Sequence, residues 1–406
     1  MWALATARHR SPRLAQVEQA VVQSCRAGTA SPKDLTCLLW AFAMLDHAPF
    51  GLLDLLALAW APGSGQPYGD LHSFSITELT STAWALAVMK QLGGGAPPQP
   101  QQPQRPQHTP QPPAQPHEHD WQQHLKTEAQ QQQQQQQALE PLHQQQLRQE
   151  REPEELEAAL QEGHTQLHGP EAAGPLPPGP GARVWAALCS RAAEVSSAGD
   201  VALTQVWQCA LSLWLDHGLD TQSDRTFGRP ASERTAAAIA AACQHLGTLD
   251  AAAEDEVRQM LTEAAGAYRR GSAALKVASS AGAHSGYQRQ VANTFMRLGL
   301  MHMIEDCSSG YAVDIGLPQL RVAVEVDGPS HFCLTHTPRN AASRLTLTGP
   351  TAMKRRHLQK LGWATVSIRW KEWDLLTSPA AQEQLVQRRL RAALEGQVLA
   401  STNALG

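Results

Sequence analysis

The run Val322-Ala-Val-Glu-Val-Asp-Gly-Pro-Ser-His-Phe332 concentrates more reactive chemistry than any other stretch of the 406 residues. Alternation along a strand puts Val322, Val324 and Val326 on one face and Ala323, Glu325 and Asp327 on the other. Glu325 and Asp327 are then roughly 6–7 Å apart at the backbone. Two acids so placed need a metal, basic partners or solvent, because burying them unpaired is costly. Asp314, at the end of an earlier β-patterned run, joins them if the two runs form a hairpin. His331 follows just after the Gly328-Pro329 turn.

Cations and aromatics lie just downstream. Lys354, Arg355, Arg356 and Lys360 share one helix bracketed by Pro350 and Gly362, with Arg356 and Lys360 one turn apart. Such a row suits phosphate contact. It equally suits a solvated face, or ion pairs to Glu325 and Asp327 that hold the helix on the sheet. Trp363, Trp370 and Trp373 flank the following strand. Tryptophan beside cations stacks on unpaired bases, worth about 1–3 kcal/mol per base, although at least one of the three belongs in the core.

Charge follows the same division. The formal net charge is −4, yet from Ser285 onward there are 14 Lys and Arg against 9 Asp and Glu, an excess of five positive charges. The rest of the chain holds 19 basic and 28 acidic residues, nine net negative charges. A footprint for phosphate belongs to the C-terminal part.

The elements that must position these groups begin at Ser285. Ser285-Gly-Tyr-Gln288 reads as a capping box opening a helix with Val291, Ala292, Phe295 and Leu298 on one face, closed by Gly299. β-patterned runs follow at Met301–Glu305, Tyr311–Ile315 and Arg321–Val326. Then come the basic helix, a strand from Ala364 to Trp370, and a last helix capped at Ser378-Pro379 with Leu385, Val386, Leu390 and Leu394 inward. The order is helix, three strands, helix, strand, helix: a small α/β domain.

Upstream the pattern is helical. Ser31-Pro-Lys-Asp-Leu-Thr-Cys-Leu-Leu-Trp-Ala-Phe-Ala and Ser75-Ile-Thr-Glu-Leu-Thr-Ser-Thr-Ala-Trp-Ala-Leu-Ala align at an offset of 44, each opening with a Ser three residues before an acid. A period of this length marks stacked helical pairs, an α-solenoid, with Trp40 and Trp84 as core residues. Helical periodicity resumes from Arg183 to Lys276, with Leu203, Val206, Ala210, Leu213 and Trp214 on one stripe and an Ala-rich stretch at Ala236–Ala242. Between them, roughly Gly93 to Gly181 is low-complexity Pro and Gln with an eight-Gln run at Gln130–Gln137, expected to be a disordered linker with transient helix near Glu152–Glu162.

The seven cysteines are scattered, without a C-x-x-C pair or zinc spacing, as expected of reduced thiols. No apolar run reaches the roughly 18 residues of a membrane span. Arg8, Arg10 and Arg13, with no acid before Glu18, give the first 17 residues a composition shared by transit peptides and by basic helix starts.

The segments Asp314-Ile-Gly-Leu-Pro, Val322 to Phe332, Leu347-Thr-Gly-Pro-Thr-Ala-Met-Lys-Arg-Arg-His-Leu-Gln-Lys-Leu-Gly-Trp363 and Val366-Ser-Ile-Arg-Trp-Lys-Glu-Trp373 together resemble a RAP domain, over about Ser285 to Leu376. The Leu-x-x-x-x-Trp-Ala-x-Ala helices are similar to the degenerate repeats that precede RAP domains in FAST-kinase-like mitochondrial proteins and in green-algal octotricopeptide-repeat proteins. That resemblance implies binding of single-stranded organellar RNA, with other RNA-processing proteins as further partners. It implies a role in RNA processing, stability or translation, in the mitochondrion or the chloroplast stroma.

RAP domains in turn resemble PD-(D/E)xK nucleases, which have the restriction-endonuclease fold. Carried over, Asp314 and Glu325 would be carboxylates for Mg²⁺ or Mn²⁺, with Asp327 and His331 as the other catalytic groups. Asp327, however, stands where many such nucleases place Lys, and an acid cannot act as a cationic stabiliser.

The expected organisation is therefore α-solenoid-like repeats over 1–92, a linker over 93–182, further repeats over 183–280, a restriction-endonuclease-like RAP domain over 285–378, and a C-terminal helix and tail over 379–406. The expected function is RNA binding without a cofactor, through Lys354, Arg355, Arg356, Lys360, Trp363 and Trp370. The alternatives are a metal-dependent endoribonuclease and a protein–protein scaffold in which the repeats and the Gln-rich segment recruit partners.

Overall fold

Ser31 and Ser75 both start helices as their spacing predicts. Each side chain accepts the backbone N–H three residues on, and Asp34 and Glu78 reach back to the capping residue, which satisfies two end donors at once. The two 13-residue helices, Pro32–Met44 (α3) and Ile76–Val88 (α5), pack side by side with Thr36 and Thr82 hydroxyls 3.0 Å apart between them. Trp84 is buried and donates its indole N–H to Gln208, whereas Trp40 is half-buried against the core.

A computed structural model of the chain describes residues 1–61, 63–65, 69–92, 179–216, 253–278, 286–335 and 344–403. The expected linker, apart from its last residues, lies outside these, as do the Gln run, Glu152–Glu162, Ala236–Ala242 and Ser285. Apart from 299–301, the described residues belong to one compact unit that takes in both the helices and the sheets.

Around α3 and α5 lie Trp2–Thr6 (α1), Leu14–Arg26 (α2), Phe50–Ala59 (α4), Pro180–Cys189 (α6), Ala192–Ser196 (α7), Asp200–Asp216 (α8) and Ala253–Ala278 (α9). Helix α6 starts inside the stretch that composition assigned to the linker, because Pro180 serves as a first-turn residue where a missing N–H costs nothing. Buried Trp185, Trp207, Phe42 and Phe74 are among the largest side chains of the helical core.

The C-terminal part consists of Gly286–Arg297 (α10), Met303–Asp306 (β2), Val313–Leu317 (β3), Val322–Asp327 (β4), Phe332–Thr335 (β5), Arg344–Leu347 (β6), Gly349–Lys360 (α11), Ala364–Arg369 (β7), Trp370–Asp374 (α12) and Pro379–Asn403 (α13). One sheet runs β2-β3-β4-β7, antiparallel except for the β4–β7 pair, which α11 bridges as a crossover.

A second sheet was absent from the sequence reading. It runs β1-β5-β6, where β1 is His9–Arg10 at the N-terminal end of the chain, parallel to β5. The basic N-terminal stretch is thus built into the fold, with Ala5 and Leu14 buried and the Leu334 N–H donating to the Arg8 carbonyl. The last strand also stops at Arg369, and Trp370 opens a short helix instead of ending the strand.

Candidate nucleic-acid interface

Strands β3 and β4 bring Asp314, Glu325 and Asp327 to one end of the four-stranded sheet, with His331 beside them. Asp314 accepts the Val326 N–H at 2.7 Å. Burial raises its carboxyl above the ordinary value, against that hydrogen bond and the nearby Lys354.

Glu325 is 4% exposed. Lys354 Nζ lies 2.8 Å from its Oε1 and donates to its Oε2 at 2.9 Å. Burial outweighs the ammonium and pushes the Glu325 carboxyl up to about 7.

Asp327 is fully buried and receives Arg355 and the Ser367 hydroxyl on the same oxygen. His331 Nδ1 stands 3.7 Å from the other oxygen and 3.3 Å from the Thr351 hydroxyl. Burial keeps His331 below its usual value, although the Asp327 charge pulls the other way.

These residues do not fit a divalent ion. Among the described residues no group of three His, Cys, Asp or Glu side chains is placed to hold one. One oxygen of each acid accepts a hydrogen bond, Glu325 from Lys354, Asp327 from Arg355 and Ser367, and Asp314 from the β4 backbone. Glu325 Oε1 and Asp327 Oδ1 are buried without one, and the neighbouring ammonium and guanidinium oppose a further cation there. The cations that balance the acids, Lys354 and Arg355, come from the second turn of α11 and not from the strand itself.

The other half of the basic row faces the opposite way. Arg356 makes a bidentate pair with Asp216, with Nε–Oδ1 at 3.0 Å and Nη2–Oδ2 at 2.9 Å, and also donates to the Ala87 carbonyl at 3.0 Å. Lys360 Nζ holds Asp216 and the Leu215 carbonyl, each at 2.8 Å. Burial alone would raise the Asp216 carboxyl, but these cations outweigh it and hold it below the ordinary carboxylate range.

Between them His357 is fully buried, with Ser212 at 3.0 Å and the Tyr311 hydroxyl at 2.5 Å on its two ring nitrogens. Burial, reinforced by Arg356, lowers it to about 3, so its ring is neutral near pH 7. Lys354 and Arg355 form the ion pairs to Glu325 and Asp327 that the sequence offered beside phosphate contact, while Arg356 and Lys360 hold Asp216.

The tryptophans separate. Trp363 and Trp373 are buried, and Trp373 donates to Gln290 at 2.9 Å. Trp370 is half-buried and tilts against Phe332 with ring centroids 5.6 Å apart. Exposed Arg369 lies over the Phe332 ring at 5.3 Å and exposed Lys371 over Trp370 at 5.5 Å.

Sequence reasoning did not single out Phe332, Arg369, Lys371, Asp216, Ser212 or Tyr311. Asp216 did carry a signal: an acid at the far end of α8 sits at the negative end of the helix dipole, which is unfavourable without a cation to meet it.

A model of the RAP domain family matches residues 324–388, from mid-β4 into α13. A rice protein (Oryza sativa subsp. japonica) named "RAP domain-containing protein, chloroplastic" is 35% identical over 106 residues, 26% of this chain and 15% of its own length. The rat protein "FAST kinase domain-containing protein 3, mitochondrial" (Rattus norvegicus) is 39% identical over 70 residues, 17% of this chain and 10% of its own length. The mouse protein of the same name (Mus musculus) is 39% identical over 70 residues, 9% of its length. The matched stretches thus span 15% or less of these relatives. No solved structure matches the chain.

Proposed function

From a chain that carries a RAP domain over residues 324–388, we infer an RNA-binding protein that acts on the transcripts of an organelle and does not cut them. The RAP domain is the observation that carries this reading. The chloroplastic and mitochondrial names of the relatives support the organellar setting. The upstream helices, with their paired capping boxes and Trp-Ala motifs, act as a degenerate repeat array that lies along single-stranded RNA, while the RAP domain adds affinity or recruits other processing factors. Among the described residues no helix is long and apolar enough to cross a membrane.

Charge supports binding without cleavage. A metal-dependent endoribonuclease needs carboxylates open to a cation, whereas Glu325 and Asp327 are occupied by Lys354 and Arg355. Crosslinking in cells, followed by purification and sequencing of the attached RNA, tests the reading. Enrichment of mitochondrial or chloroplast transcripts is expected and would name the compartment. Recovery of no RNA above an untagged control would replace it with the scaffold. Cleavage of that RNA that is stopped by EDTA and lost in Asp314→Ala would replace it with the nuclease.

A further inference from the structure

The three-stranded sheet has two unlike faces. Cys333 and Thr335 point to one side, where Cys333 is fully buried and its thiol reaches the Met44 carbonyl at the end of α3. Phe332 and Leu334 point to the other. Register puts Leu347 opposite Phe332, Leu345 opposite Leu334, and His9 beside Leu334. This side is partly open: Leu334 is 36% exposed, Leu345 and Leu347 are half-buried, and Trp370 lies at its edge against Phe332. Arg369 and Lys371 bracket that edge, and among the described residues neither has an acidic partner. The neighbouring acids have partners of their own: Asp327 has Arg355, Glu372 has Arg389, and Asp374 accepts a hydrogen bond from the Tyr287 hydroxyl.

An apolar strip edged by a half-buried tryptophan, which rests on buried Phe332, and by two unpaired cations has the composition of a surface that receives a nucleotide strand. Every base has a π-face for Trp370, and the backbone supplies phosphates for Arg369 and Lys371. A protein partner would more often meet such a strip with complementary acids around an apolar plug. A base-paired duplex hides its base faces and offers nothing for the tryptophan.

We propose that the outward face of the β1-β5-β6 sheet, at Phe332, Arg369, Trp370 and Lys371, is a stacking site for unpaired bases of single-stranded RNA. The proposal rests on the RNA-binding reading above and names the site within it. Phe332 supports Trp370 from below. Trp370 takes the base, and the two cations hold flanking phosphates.

The test titrates the full-length protein with a fluorescein-labelled oligouridylate and, separately, with the same strand annealed to oligoadenylate. Loss of one stacked base weakens binding roughly 5- to 150-fold. Trp370→Ala is expected to do this to the single strand and to leave the weaker duplex binding unchanged. Trp370→Phe, which keeps a ring, is expected to retain most of the affinity. Because Trp370 packs on Phe332, the wild-type protein is also photo-crosslinked to 4-thiouridine RNA, and the modified peptide is expected to contain Trp370. Wild-type binding that Trp370→Ala does not alter, or crosslinks confined to other peptides, overturns this site and leaves RNA binding intact. Failure of the wild type to bind either probe overturns both. A protein whose association with the full chain depends on Trp370, with RNA binding unaffected, overturns it in favour of a protein partner.

Discussion

His357 and Glu325 are both buried in a small domain, and burial moves them in opposite directions. His357 lies among Tyr311, Ser212, Asp216, Arg356 and Lys360 and falls from 6.5 to about 3. Between those values the unfolded chain binds the proton that the folded chain refuses. Stability is therefore full above about 6.5 and drains as pH falls, by up to about 1.4 kcal/mol per pH unit. Glu325 rises from 4.5 to about 7. There the folded state holds the extra proton, so its contribution is full below 4.5 and is lost as pH rises towards about 7. The two slopes largely cancel where the windows overlap. Glu325→Gln removes one of them, and urea denaturation of that variant should show stability rising with pH from about 4.5 to 6.5 more steeply than in the wild type. His357→Gln should lean the opposite way, from a lower starting stability. Identical pH profiles for the wild type and Glu325→Gln would show that Glu325 is not the buried, proton-retaining group described.

Helix α11 holds the acid-bearing sheet with one side and the helical region with the other. Arg356 reaches the Ala87 carbonyl of α5, and Lys360 reaches Leu215 in the last described turn of α8. Its cations thus meet the electronegative ends of helices, and Asp216 adds a formal charge. Asp216→Ala leaves half-buried Arg356 without its acid, while exposed Lys360 can turn to water. That should cost about 3 kcal/mol, the low end for breaking a buried pair, read as a lower urea midpoint with the sheet and the helices losing their common transition. Gly349 makes the close approach possible: a Cβ there would stand 1.9 Å from the Ala43 carbonyl oxygen and 2.6 Å from Val88 Cγ1. Gly349→Ala should destabilise by about 1–3 kcal/mol through overpacking, although Ala is the better helix former. A neutral result would mean that α11 does not seat on α3 and α5. Much of this was legible at the level of elements: the capping boxes, β2, β3, β4, α11, β7 and α13 all left periodic or capping signals. The β5–β6 hairpin was not read from the sequence, and two-residue β1 is a strand only because β5 offers it an edge. The pairing of Lys354 and Arg355 with Glu325 and Asp327 was visible in sequence, but Asp216 and Ala87, which hold Arg356, lie more than a hundred residues away, so the choice between phosphate and internal acid was there a tertiary question.

Charge over the whole molecule limits how it can hold RNA. The part from Ser285 onward has five excess positive charges, yet six of its cations are already paired: Arg297 with Glu383, Arg389 with Glu372, and the four of α11. Arg369 and Lys371 are exposed and have no acidic partner among the described residues, which makes the edge of the small sheet a compact phosphate footprint. Each phosphate contact on a single strand contributes about 0.7 to the magnitude of the log–log salt slope. Binding of oligouridylate across a salt series should therefore show a slope of only about −1.4 to −3. Arg369→Ala with Lys371→Ala should flatten it by about 1.4, while replacing Lys354, Arg355 and Arg356 should lower stability before it changes the slope. A wild-type slope steeper than about −5 would require more phosphate contacts than the unpaired cations of the sheet edge supply. If that steep slope collapsed in the α11 triple variant while the variant stayed folded, the internal ion pairs would have to open on binding and hand their cations to RNA. The acids of β4 would then be exposed only in the bound state. That pattern would move the interface from the small sheet to α11.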